Sequence, residues 1–417
     1  MGGNNNPDGK NQFSNCPAKD DKKVEELLRQ YHQEGISNRR TISAMLREEG
    51  IIMGEKTVDR RRKAFGLFSS GLQTKLLHES ERRQLIVDQM AKDPTSRQGP
   101  MTVKEGVAYD NGIHLTRAVI INEMRALDPK GFEIRDPTAK KVHRVPVVCL
   151  GPNHKWTGDG HDKLAEIGFP IWGMRDVWSG KWLGLWVVPS NRYKVTVAYL
   201  YLCLVETYGG IPIQSTTDCG SETTRVYGFA NALREAFAPE LPISELPAHR
   251  FLKSIHNTPM ERGWLRLRLQ WGDNVKVFWE AGAHLYNSDD PRQRYVELVH
   301  WLWPTLIQKE LDYLRKRLNG HKIRYDKNKI LPSGASPNTM MKLHTRYGGE
   351  DGLIPVDLGL IGQLKEELGG PGLTQFVDTP YAERALEVFQ SLNVEKLTFQ
   401  NVWEVYKAMM PLMYPTY

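Results

Sequence analysis

Between residues 145 and 288, short apolar runs with strand character alternate with segments of helical spacing, and that alternation restricts the region to a layered α/β fold. An apolar run at 145–150 leads into expected strands over 155–160, 170–177 and 182–189. The last two are joined by Trp178-Ser179-Gly180-Lys181, which suits a hairpin loop. A helix is expected over 192–208, a strand over 211–218, a helix over 222–237, a strand over 248–252, and a long amphipathic helix from about 259.

The flanks lack this alternation, so the chain is expected to be multidomain: an all-α front, the α/β core, and a helical C-terminal region over 289–417 with a Gly/Pro-rich loop at 348–372. Residues 1–21 are expected to be a disordered leader. Residues 22–68 read as three short helices in a helix-turn-helix layout. Asn38 is placed to cap the second helix, Gly50 to end it, and Ile51 to make the C-cap contact. The third helix carries Thr57, Arg60, Arg61, Arg62 and Lys63, the side chains expected to meet DNA; a small bundle with a solvated basic face is the competing reading. Residues 69–144 are expected to hold a second helical module, helix-turn-helix-like, with a capping box at Thr102-Val103-Lys104-Glu105 and a linker. The module is expected to serve DNA binding or, equally, oligomerisation or packing.

Charge follows the same division. Residues 1–150 hold 26 Lys+Arg against 20 Asp+Glu, a net +6, so only +1 of the chain's +7 is left for the other 267 residues. A basic front end points to nucleic acid. No apolar run approaches the ~20 residues of a membrane-spanning helix, and the polar first fourteen residues do not read as a secretory signal. Cys16, Cys149, Cys203 and Cys219 are scattered without a CxxC pair, which argues against a disulfide framework or cysteine zinc site and fits a reducing, intracellular setting.

Three carboxylates sit at the ends of expected core elements: Asp159 in Trp156-Thr157-Gly158-Asp159-Gly160, Asp218 in Thr216-Thr217-Asp218-Cys219-Gly220, and Glu261 in the first turn of the long helix. Strand ends are where α/β sheets place their sites, and nearby glycines let a ligand approach the backbone. Oxygen ligands without Cys or His favour Mg²⁺ or Mn²⁺ over zinc. Two such ions roughly 3.5–4 Å apart can hold the attacking and leaving oxygens of a phosphodiester displacement. Turn formation and helix-dipole stabilisation are the plainer roles for the same acids.

The run from Gly151 through Trp156, Asp159 and Lys163 to Leu164 resembles the first catalytic motif of retroviral-integrase-like DDE transposases, and more closely that of eukaryotic "integrase core domain" proteins. The stretch Gly168–Trp182 is similar to the second and third strands of that family. Ser215 to Glu222 resembles its second motif, Ser254 to Trp264 its third, and Leu318–Arg324 with Leu331–Ala335 a tail segment. The resemblance implies an RNase H-like core with a mixed five-stranded sheet and two Mg²⁺ (or Mn²⁺) ions. It implies Asp159, Asp218 and Glu261 as catalytic metal ligands, DNA element ends and target DNA as partners, and a homo-oligomer without membrane association. Water would cleave the element end, and the freed 3′-OH would attack target DNA. Thr157 stands where the family commonly has His and Thr223 where it commonly has Asn, so a host-adopted DNA-binding protein with weak or lost catalysis is the alternative, and a structure-selective nuclease a third reading. Nuclear location follows for a eukaryotic source.

Neighbouring residues complete the expectations. Asp162 is expected to pair with Lys163, Asp176 to cap the hairpin, and Glu222 to cap a helix or support the metal shell. Asn257, one turn before Glu261, is a supporting residue; His256 could touch substrate. Met260, Trp264, Leu267 and Trp271 form a core stripe. Arg262 and Arg266 lie off that stripe and are expected to contact phosphate, as is Arg268.

Overall fold

The computed structural model describes residues 16–134, 148–252, 258–285 and 294–414. The leader before residue 16 and the linker at 135–147 fall outside them. The front of the chain is helical: α1 (Lys22–Gln33), α2 (Arg39–Glu48), α3 (Glu55–Ala64), α4 (Ser70–Leu76), α5 (Glu79–Met90), α6 (Pro100–Asn111), α7 (Arg117–Leu127) and α8 (Pro129–Ile134). Asn38 Oδ1 accepts from the backbone N–H groups of Arg40 and Thr41, and Gly50 (φ +75°) lets the Ile51 N–H return to the Leu46 carbonyl at 2.9 Å. Helix α6 begins two residues before the expected capping box. Gly99 precedes it and Pro100 opens it, so the missing proline N–H costs nothing there and no side chain caps the end.

The core follows with β1 (Lys155–His161), β2 (Ile171–Asp176), β3 (Trp182–Val187), α9 (Lys194–Tyr208), β4 (Gly210–Ile211), β5 (Gln214–Asp218), α10 (Thr224–Phe237), β6 (His249–Leu252), α11 (Thr258–Leu267) and α12 (Asp273–Glu280). Pro212, which lacks an N–H, interrupts the strand expected over 211–218, leaving β4 to pair elsewhere. The main sheet runs β3-β2-β1-β5-β6; β1/β2 and β2/β3 are antiparallel, while β1/β5 and β5/β6 are parallel. This is the mixed five-stranded RNase H-like sheet. The expected long helix is continuous from α11 to α12 through one wide π-turn at Arg268–Gly272. Asp176, completely buried, caps the β2–β3 hairpin as expected. Its carboxylate accepts from the N–H and Oγ of Ser179 and from the Asn153 N–H.

Beyond the core come α13 (Arg294–Gly320), α14 (Pro337–Lys342), β7 (Ile354–Pro355), α15 (Leu358–Leu368), α16 (Thr379–Ser391) and α17 (Val402–Met413). The loop expected at 348–372 therefore contains a helix. Asp357 caps α15 and Ile361 is buried against the sheet's second face, so tertiary packing overrides the local glycines. Helix α13 lies along β3 and satisfies its outer edge with side chains. Asn319 pairs with both backbone groups of Trp182, Gln308 with Leu185 O and Val187 N, and Arg315 with Leu183 O.

One hydrophobic core joins Trp264, Trp271 and Trp279 of the long helix to Trp303 of α13 and Trp403 of α17. It crosses the residue-288 division between core and C-terminal region. The front also leans on the later chain: Leu343 completes the core of α1–α3, and Lys342 pairs with Glu49 and Tyr31. No helix among the described residues is long and apolar enough to cross a membrane.

Candidate active site

In the parallel pair β1/β5, Thr157 is aligned with Thr216. Asp159 and Asp218 each lie two residues further on, so the period of two puts both carboxylates on one face at adjacent strand ends. The β1/β5 ladder stops at the Thr157–Thr216 pair, and the acids stand where the strands part. Burial, and next the neighbouring Asp218 carboxylate, push the Asp159 carboxyl up to about 7, against the pull of the Trp264 N–H. Asp218 is raised by burial and by Glu222, with Arg192 opposing.

Helix α11 packs against β1 and brings Trp264 to the site. Its indole Nε1 donates to Asp159 Oδ2 at 3.1 Å. His161, two residues beyond Asp159, stacks on that indole with ring centroids 4.8 Å apart, and burial drives its pKa down to about 4. Trp264 belongs to the core stripe as expected. Its bond to Asp159 was not visible in the sequence, because an indole in a helical apolar stripe reads only as packing.

Glu261 lies one turn before Trp264 and is partly buried. Among the described residues no three His, Cys, Asp or Glu side chains are gathered closely enough to hold a metal, so the two aspartates come together without Glu261 completing the set. Asn257 and His256 lie outside the described residues. Glu222 bends back over Gly220 beside Asp218 and makes no cap on α10, because a 3₁₀ turn over Ser221–Thr223 intervenes. Asp162 does not pair with Lys163: β1 ends at His161, a 3₁₀ turn begins, and the carboxylate reaches Arg192 and Asn191 instead.

The pair fits a hard divalent cation. Its donors are all oxygens, and Asp218 Oδ1 is a buried acceptor without a hydrogen-bond partner. Arg262 and Arg266 are exposed on α11, Arg266 lying 3.5 Å from His321, while the Arg268 Nε is buried.

On α3, Arg60 and Lys63 are exposed and Thr57 is half-buried, accepting from Arg60 at 3.3 Å. Arg61 and Arg62 depart from expectation. Both are buried, Arg61 donating to the carbonyls of Pro17 and Ala18 and Arg62 to that of Ser37. Four consecutive basic residues at ~100° per residue span most of a helix's circumference, so some must turn inward.

Residues 142–346 match the sequence profile of the integrase core domain family. The match begins before β1 and ends just after α14. No curated protein matches the chain.

Proposed function

From the match of residues 142–346 to the integrase core domain family, whose members are polynucleotidyl transferases, we propose that this protein is a DDE-type DNA recombinase. The observation that carries the reading is the Asp159–Asp218 pair at parallel strand ends, with Asp218 Oδ1 left for a cation. Asp159 and Asp218 would hold divalent ions, with Glu261 drawn in to complete the set. Such ions, when bound, supply positive charge to both oxygens of a phosphodiester displacement. In cleavage a water oxygen bonds to phosphorus and the 3′ oxygen leaves with a proton. In joining, that 3′-OH attacks a target phosphodiester and expels its 3′ oxygen. The exposed Arg60 and Lys63 would meet phosphates on duplex DNA, as would Arg262 and Arg266, in a nuclear setting if the source is a eukaryote.

The test is incubation of the full chain with Mn²⁺ or Mg²⁺, supercoiled plasmid and duplex oligonucleotides carrying the ends of the flanking DNA. Nicking or joining that Asp159→Ala and Asp218→Ala both abolish supports the reading; activity surviving both substitutions overturns it. A second reading is favoured by one observation, the absence of Glu261 from the acid pair. In that case the protein is a host-adopted DNA-binding derivative, which shifts DNA on a gel yet shows no Mn²⁺ uptake by calorimetry.

A further inference from the structure

Asp159 lies opposite Gly173 on β2. A Cβ at Gly173 would stand 2.7 Å from the Trp264 ring and 2.9 Å from Leu185 and Trp182, so the missing side chain is the space that admits the indole beside the carboxylate. A second glycine serves the same arrangement from the helix side. A Cβ at Gly263 would meet Trp182 and Arg175 at 2.7 Å, so its absence lets α11 settle onto β2 and β3. The ring of Trp264 is then held on two sides, stacked on His161 at 4.8 Å and tilted against Trp182 at 4.9 Å, with Arg175 over the Trp182 ring at the same distance. Packed against both rings and with only 6% of its surface exposed, the indole has little freedom to rotate, and its one polar atom points at Asp159 Oδ2.

We propose that Trp264 is a positioning residue whose N–H fixes one oxygen of Asp159 and leaves the other for a divalent cation shared with Asp218. The inference rests on the metal-dependent reading above. It differs from a packing role in a specific way: a phenyl ring, though smaller, keeps the slot aromatic and apolar but cannot donate. Outer-shell donors of this kind are worth roughly 10- to 100-fold in metal affinity.

The experiment uses the full chain labelled with ¹⁵N at its tryptophan indoles. The Trp264 resonance is identified by its loss in Trp264→Phe, and it is expected to move in Asp159→Asn. Mn²⁺ binding by calorimetry is expected to weaken roughly 10- to 100-fold in Trp264→Phe with the melting temperature kept within a few degrees. Gly173→Ala, which keeps the indole but displaces it, is expected to weaken binding as well. A Trp264 resonance indifferent to Asp159→Asn overturns the proposal, as does wild-type Mn²⁺ affinity in a folded Trp264→Phe protein. If the wild-type chain takes up no Mn²⁺, the metal-dependent reading itself fails and takes the positioning role with it; if the wild type binds Mn²⁺ and folded Trp264→Phe binds it equally well, only the role of Trp264 fails.

Discussion

Asp159 is a partly buried acid held by an indole N–H with a second carboxylate beside it. Because its folded pKa of about 7 lies above the ordinary 3.8, the stability it contributes is present in acid and lost as pH rises through 7. Asp159→Asn removes the charge, so it should stabilise the metal-free protein at pH 8 by on the order of 2 kcal/mol and much less at pH 5, as read from thermal melts in a chelator. The same substitution should abolish DNA cleavage. The basic residues of α3 divide similarly by environment. Arg60→Ala and Lys63→Ala should each lower the salt slope of duplex binding by about 1 with the fold intact. Arg61→Ala should instead cost on the order of 1 kcal/mol of stability, since it removes the two hydrogen bonds a buried guanidinium donates to the carbonyls of Pro17 and Ala18. The acids were legible because strand-end position and adjacent glycine are local facts. The Trp264 bond was not, because it depends on Gly173, a residue ninety-one positions away in sequence that meets it only in the folded sheet.

Elements were legible where their periodicity was strong. Strands β1–β3, helices α9 and α10, and the long helix fall close to where the pattern places them. Helix α15 was hidden because its support comes from Ile361 packing on a distant face and not from its own composition. The joint between the two helical modules shows another long-range dependence. His32 on α1 and His114 after α6 have ring centroids 4.3 Å apart, and Gln73 ties the two residues together, its Nε2 lying 3.2 Å from the His32 ring Nε2 and its Oε1 accepting from the His114 backbone N–H. Burial drives both rings to about 4 from an ordinary 6.5. The neutral rings are the ones that pack, so this joint keeps its stability above pH 6.5 and loses it as pH falls toward 4, on the order of 2 kcal/mol per ring. Melts of the wild type should show that decline, and His114→Gln should flatten it. An unchanged pH profile in the variant would count against this account.

At the scale of the molecule, the α/β region leans on the C-terminal helices. The tryptophans of the long helix are covered by α13, α16 and α17, so a fragment limited to residues 145–288 would expose the face bearing Trp264, Trp271 and Trp279. Such a fragment should be recovered aggregated or molten by near-UV circular dichroism, while the chain through residue 414 folds; a monomeric, cooperatively melting fragment would refute this. The composition shift near residue 140 was readable, whereas the sharing of one core across residue 288 was not, since apolar helices on either side look self-sufficient in one dimension. The side chains of α13 have a further consequence. By sealing the β3 margin of the sheet with amide and guanidinium groups, they leave β6 as the terminal strand on the other side. The β3 margin is therefore closed to a strand from another chain, so the sheet cannot be extended from that side in assembly or in aggregation.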